Sequence, residues 1–179
     1  TIRRIEDPYG VPLYEFQPRK KQVVSEETAF IISNILQSSV QWNGGTAARL
    51  KSLGLPLCAK TGTVQLPDTR ELNGIQGAKD IWIAVYNPDY VITVWMGFDE
   101  TNSKNHLPPG SVGGSYTAEI AKRIAGHLFA DRTPTNFTKP LNVVKVALDA
   151  KALQEYRKVM LASPLTPEEY ITTEYFTRN

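Results

Sequence analysis

The chain has 179 residues, with 20 Lys and Arg against 18 Asp and Glu, a formal net charge of +2 and only 2 His. That length suits one domain, or one domain and a tail, with a sizeable core, and the charge is too small to point to nucleic acid or an anionic membrane surface. No run approaches the roughly 18–20 apolar residues of a membrane span, no N-terminal pattern resembles a signal peptide, and the start at Thr1 without an initiator Met reads as a piece of something longer.

In chain order, Ile2 to Glu6 and Val11 to Phe16 flank Asp7-Pro8-Tyr9-Gly10, a turn sequence that predicts a β-hairpin. Arg19-Lys20-Lys21 is the one basic run and reads as a solvated linker. Ser25 is placed as a helix N-cap, followed by Glu26 and Glu27 in the first turn. Ala29, Ile32, Leu36 and Val40, widened by Ile35, form an apolar stripe expected to face a core. Gly44-Gly45 ends this helix, and a short second helix fits Thr46 to Leu53.

Three strands are expected next, Leu57 to Gln65, Ile81 to Tyr86 and Tyr90 to Phe98. The second and third are joined by the tight Asn87-Pro88-Asp89 turn and so run antiparallel. Both are apolar at nearly every position, which predicts helices over both sheet faces. A helix from Ser115 to about Ala130, led in by Gly110, Gly113 and Gly114, carries Ile120, Ile124 and Leu128 on one stripe with Ala118, Ala121 and Ala125 beside it. After Asp131, Pro134, Asn136 and Pro140 mark a linker. A strand over Val143 to Leu148 and a helix from Asp149 to about Leu161 follow, with Leu153, Tyr156 and Met160 on one face and a Pro- and Glu-rich tail from Ser163. The fold class is α/β (α+β), an antiparallel sheet covered by helices.

Cys58 is alone, so no internal disulfide or cysteine metal cluster is available. It reads as a small buried residue, because a nucleophilic role needs a His within reach. His106 and His127 stand far apart without a carboxylate at ligand spacing, and no metal site is expected. The informative tetrapeptide is Lys60-Thr61-Gly62-Thr63 on the first of the three strands. An ammonium beside two hydroxyls suits an anion, and Gly lets a ligand backbone approach. Strand alternation puts both hydroxyls on one face and Lys60 on the other, so the strand must twist or the Lys must curl around its edge for all three to meet one ligand. An extended peptide would pair along that edge. The bland alternative is an ordinary solvent-facing strand, and Lys-Thr-Gly alone is a weak signal.

Context sharpens it. Leu57-Cys58-Ala59-Lys60-Thr61-Gly62-Thr63, then Asp80-Ile81-Trp82-Ile83-Ala84-Val85-Tyr86-Asn87-Pro88-Asp89-Tyr90, then Val94-Trp95-Met96-Gly97-Phe98-Asp99 resemble the transpeptidase domain of penicillin-binding proteins. Gly45-Thr46-Ala47 before and Gly113-Gly114 after fit the same order, and the Trp-rich strands look most like the bifunctional class A group. The resemblance covers about Ile2 to Ala130, with Ala59 where Gly is usual. It implies a partial penicillin-binding-protein/serine β-lactamase-like fold, with 1–132 as the C-terminal half of the transpeptidase domain and 133–179 as linker and tail.

One departure matters. The family's nucleophile and base come from Ser-x-x-Lys, with Ser-x-Asn before Lys-Thr-Gly, yet no Ser here has Lys three residues on. Ser103-Lys104-Asn105 spells the second pattern after the Lys-Thr-Gly and reads as a loop coincidence. The resemblance implies that Lys60 orders a proton network near an absent Ser. Thr61 and Thr63, across Gly62, would hold a peptide or β-lactam carboxylate, and the Thr63 N–H would be an oxyanion-hole donor. The implied reaction is serine acyl transfer between peptidoglycan stem peptides, with no cofactor.

The implied partners are stem peptides, β-lactams and the upstream half of the same domain, at the extracytoplasmic face of a bacterial membrane through an anchor outside this chain. No nucleic acid or membrane contact is expected of the segment itself, and the chain alone should be catalytically silent. Two other readings share these residues, a non-catalytic binding or scaffold module and a serine β-lactamase. The strand signature and the tail argue against the latter. The Trp and Tyr residues of the second and third strands read mostly as core, and the Leu66–Lys79 loop either overhangs a substrate groove or is a plain connection.

Overall fold

The structure, a computed structural model, describes residues 2–18 and 21–178. Arg19 and Lys20 of the basic run lie outside the described residues, and Lys21 is exposed. The first element is the expected hairpin, β1 (Arg4–Glu6) against β2 (Pro12–Glu15). The Asp7 carboxylate accepts from the Tyr9 and Val11 amides, both at 2.9 Å, and Gly10 takes the positive φ of 81° that closes the turn. Both strands are exposed throughout and form a separate two-stranded sheet.

Helix α1 (Glu26–Gln41) starts as expected, the Ser25 hydroxyl accepting from the Thr28 amide. Its buried face differs from the expected one. Val40 is fully buried, but Ala29 is exposed, and Ile32 and Ile35 are 50 % and 56 % exposed. The helix docks instead through Ser33, Leu36 and Val40, at the i, i+3, i+7 spacing of a neighbouring stripe. The Ser33 hydroxyl pairs with the Tyr86 hydroxyl at 3.0 Å, and its carbonyl receives the Cys58 thiol at 3.1 Å. Polar contacts chose this face, and nothing else among the described residues covers the isoleucines. A 3-10 helix (Ala48–Leu53) follows, ended by Gly54.

The central sheet has the order β3 (Cys58–Gln65), β4 (Ala78–Tyr86), β5 (Val91–Gly97), all antiparallel, with β3 on an edge. Its register puts Ala59, Val85 and Ile92 in line on one face, with Thr61, Ile83 and Val94 and then Thr63, Ile81 and Met96 beside them. Helix α2 (Tyr116–Leu128) closes that face. Of the expected stripe Ile120 and Ile124 are 38 % and 40 % exposed, while the flanking Ala118, Ala121 and Ala125, expected to allow close approach, are fully buried. Small side chains let the helix backbone approach the sheet closely, which larger ones would prevent.

On the other face the two-sided cover expected of the whole sheet is incomplete among the described residues. Only its Cys58–Tyr86 end is covered, by α1 and by Phe137, whose ring meets Tyr86 edge-on at 5.9 Å. Beyond that end Lys60, Trp82, Thr93 and Trp95 are exposed, and Trp82 and Trp95 pack on each other with centroids 6.2 Å apart.

The last elements are β6 (Val143–Asp149), α3 (Ala150–Tyr156) and β7 (Ile171–Thr177), with β6 and β7 antiparallel. Helix α3 stops short of the expected Leu161, at Arg157 with φ 54°, and Leu153, Tyr156 and Met160 are exposed. Two turns capped by Asp149 are all that this stretch sustains. Strand β7 was not expected in the tail. It sits against α1, with Phe30 and Tyr175 edge-on at 5.2 Å and Asn142 donating to Glu27 at 3.4 Å.

Candidate functional site

The Lys60–Thr63 segment lies mid-strand on β3, where only one side of the backbone has a partner. The Ala59 carbonyl is turned away from β4, since it accepts the Ser39 hydroxyl at 2.7 Å. Alternation along a strand turns the backbone groups of Thr61 and Thr63 to that same outer edge. The edge is thus anchored by α1 at Ala59 and open beyond it.

Thr61 and Thr63 share the face that α2 closes. They line a cleft of about 370 Å³ together with Thr46, Val112, Gly113 and Gly114. The Thr63 hydroxyl accepts from the Gly113 amide at 3.1 Å. The Thr61 hydroxyl has no hydrogen-bond partner among the described residues. Two hydroxyls beside an unpaired strand edge are chemically suited to an extended ligand with an anionic end.

Lys60 stands on the opposite face, exposed and outside the cleft lining, and its ammonium donates to the Thr61 carbonyl at 2.7 Å. The side chain therefore curls to the strand edge, one of the two ways that alternation left open. Gly62 is half-buried, and a Cβ there would meet only the Trp82 Cβ at an ordinary 3.4 Å. The tight glycine is Gly113, where an added Cβ would fall 2.4 Å from the Trp82 carbonyl and 2.7 Å from that of Gly62. Only a bare backbone lets this loop lie on the β3–β4 ladder.

Thr46, Val112, Gly113 and Gly114 were not singled out as site residues in the sequence. The signal was present in the paired glycines immediately before a helix and in the Gly45-Thr46-Ala47 run, but their convergence on Thr63 spans 50 positions of chain.

Ser103 belongs elsewhere. Its amide and hydroxyl both donate to the Glu71 carboxylate, at 2.9 and 2.8 Å, and those two bonds hold that carboxyl below its ordinary range. They tie the loop after β5 to the 66–77 loop, which encloses its own hollow of about 400 Å³ and contributes no residue to the Thr61–Thr63 cleft. A mostly apolar cavity of about 590 Å³ lies between α1, the end of β4 and 137–140, and no residue of Lys60–Thr63 lines it. Burial pushes the Cys58 thiol up to about 11, so it stays protonated at neutral pH and is inert as a nucleophile.

A family model described as the penicillin binding protein transpeptidase domain matches residues 2–126. The chain is 31% identical over 183 aligned positions to penicillin-binding protein 1A/1B of Bacillus subtilis, covering 99% of this chain and 19% of that protein. It is 32% identical to penicillin-binding protein 1F of the same organism, covering 79% and 18%, and 28% identical to penicillin-binding protein 1A of Pseudomonas aeruginosa, covering 87% and 16%. The chain thus spans about a fifth of the length of the curated relatives it matches.

Proposed function

Because this chain belongs to the penicillin-binding protein transpeptidase family, with class A members among its relatives, we propose that it forms the Lys-Thr-Gly wall of a peptidoglycan D,D-transpeptidase. Residues 1–132 are the C-terminal half of the catalytic domain and 133–179 its linker and tail. The observation that carries this reading is the cleft in which the Thr61 and Thr63 hydroxyls lie beside an unpaired strand edge.

In this mechanism a stem peptide ending in D-Ala–D-Ala, or a β-lactam, lies along β3. Its carboxylate accepts from the two hydroxyls through charge-assisted hydrogen bonds. A serine from the upstream half of the domain attacks the scissile carbonyl, and the oxyanion receives the outward-facing Thr63 N–H, a donor whose loss typically costs two to three orders of magnitude in rate. Terminal D-Ala leaves as the free amine, carrying the proton that the serine gave up. The amine of a neighbouring stem peptide then displaces the serine ester, forming the new amide, and the proton the amine gives up passes to the serine oxygen. Lys60, already at the strand edge, keeps the proton network of the serine in order.

The upstream half lies over the exposed face carrying Trp82 and Trp95, and it sits with this chain on the extracytoplasmic side of a bacterial membrane. Its anchor is outside this segment. Among the described residues no helix is long and apolar enough to cross a membrane.

The test is covalent labelling with a fluorescent penicillin, run on the full-length protein, on its Lys60→Ala variant and on this chain alone. Labelling of the parent, slowed about a hundredfold in the variant and absent from the lone chain, is the expected outcome. A folded parent that takes no label would move the assignment to a non-catalytic scaffold built on the same fold.

A further inference from the structure

The turn that leads into α2 is fastened at more points than a helix start requires. Val112 and Ser115 close it on themselves, the Ser115 amide donating to the Val112 carbonyl at 2.8 Å and the Ser115 hydroxyl to the same carbonyl at 2.6 Å. Between them the Gly113 backbone rests on the β3–β4 ladder. A Cβ on Gly114 would fall 2.2 Å from the Thr46 carbonyl, so that wall too admits only glycine. Each of the two glycine carbonyls then has its own strut. Thr117, fully buried, donates its hydroxyl to the Gly113 carbonyl at 2.7 Å. Arg49, from the 3-10 helix, donates Nε to the Gly114 carbonyl at 3.1 Å.

Gly113 is thus held from both sides, Ser115 gripping the Val112 carbonyl of the peptide unit that carries the Gly113 N–H and Thr117 gripping the carbonyl of the next unit, and that N–H donates to the Thr63 hydroxyl. A hydroxyl that accepts from a fixed N–H has one lone pair engaged and its own hydrogen turned elsewhere. Here the remaining direction includes the cleft that Thr63 lines. Donation from an N–H also polarises the O–H and makes it a better donor in turn. We propose that Thr117 is a positioning residue for the carboxylate end of the ligand, acting through the backbone of Gly113, whose carbonyl it holds while the N–H on the other side of the same Cα keeps the Thr63 hydroxyl a donor into the cleft, with Arg49 as the second strut. This rests on the reading of Thr61 and Thr63 as the carboxylate donors. Thr117 lies outside the Lys60–Thr63 motif and outside the cleft lining.

A Thr in the first turn of a helix often bonds back to the carbonyl four residues earlier for purely local reasons, so the test must separate positioning from helix stability. In the full-length protein, second-order acylation rates are measured with benzylpenicillin and with its methyl ester, which offers the same ring without the anionic oxygen. The wild type is expected to prefer the acid. Thr117→Val, which keeps the shape and removes the hydroxyl, is expected to slow the acid about tenfold, the scale of one hydrogen bond to a charged group. The ester rate should stay within about twofold, and Thr117→Ser should restore the preference.

Equal losses for acid and ester would reduce Thr117 to a structural residue and overturn the proposal, as would no loss in either. Should Thr117→Val fail to fold, Arg49→Gln, on an exposed side chain, carries the same comparison with an expected two- to fivefold fall in the preference, about what one weaker bond supplies. A folded wild type that is acylated by neither compound overturns the transpeptidase reading itself. Acylation with an unchanged acid-to-ester ratio in the variants overturns only the role of Thr117 and Arg49.

Discussion

On one face of the β3–β5 sheet Ala59, Ile83 and Val85 are fully buried beneath α2, whereas on the other Trp82 and Trp95 remain 43 % exposed. Neighbouring positions of the same strands supply both faces, and the open one carries its tryptophans among Lys60 and Thr93. Helix α1 repeats the contrast around its axis, with Val40 buried and Ile32 and Ile35 open. Trp82 and Trp95 pack on each other at the surface, 6.2 Å between centroids, and Ile32 and Ile35 share a face of α1; grouped exposed apolar side chains of this kind mark docking surfaces. Apolar density on a strand therefore does not by itself say which side chains are buried within this chain.

The largest expected effect breaks that contrast directly. Ile83→Ala empties a fully buried site and is expected to cost about 2–5 kcal/mol in denaturant unfolding of this chain. Trp82→Ala removes a larger side chain from the open face and should cost only about 1 kcal/mol here. In the full-length protein the second cost should rise toward the first, because the upstream half would bury the indole. Equal costs in the isolated chain would mean that the two faces are not different after all.

The Cys58–Tyr86 end of the open face is the one part that α1 covers, and the thiol reports how well. Burial raises the Cys58 pKa from 9.0 to about 11 in the folded state. A folded pKa above the unfolded one favours folding fully below pH 9.0, and that contribution is lost as pH rises from 9 toward 11. Its size is about 2–3 kcal/mol. Tyr86 beside it is raised as well, again mainly by burial, so the clean measurement is the difference between wild type and Cys58→Ala at pH 8 and at pH 10.5. A difference that shrinks at the higher pH fits a closed end, and a constant one shows that water reaches the thiol.

Much of the local structure was legible because local chemistry decides it. Asp7-Pro8-Tyr9-Gly10 makes its turn with its own carboxylate, Ser25 caps its own helix, and the two-residue spacing of the Asn87–Asp89 turn forces β4 and β5 antiparallel. Faces were less legible. Periodicity announced an apolar stripe on α1 and on α2, but Ser33 won a place in the core through two polar contacts, and the alanines of α2 won theirs by being small. Strand β7 was hidden by the Pro and Glu before it, although Ile171, Thr172 and Thr173 are β-branched. Of the site, the Lys60–Thr63 segment is contiguous and so could be read. Thr46, Gly113 and Thr117 join it only through the fold.

The smallest effect concerns the stitch that brings Phe137 over Tyr86 and so completes the closed end of that face. The Asp89 carboxylate, at the β4–β5 turn, accepts from the Thr135 hydroxyl at 2.6 Å, the Thr135 amide at 2.8 Å and the Asn87 side-chain amide at 2.9 Å. The Thr135 bonds come first in holding its pKa below the ordinary 3.8. A depressed folded pKa gives stability that is present above pH 3.8 and lost as pH falls through the lower folded value. The Thr135 amide resonance should therefore hold its position down to pH 3.8 and move only below it. In Asp89→Asn it should not titrate in that range at all. The group is exposed, so global stability should barely change, and the local resonance is the sensitive readout. A Thr135 amide that titrates at or above pH 3.8 would show the linker unfastened, leaving α1 alone to cover the Cys58–Tyr86 end.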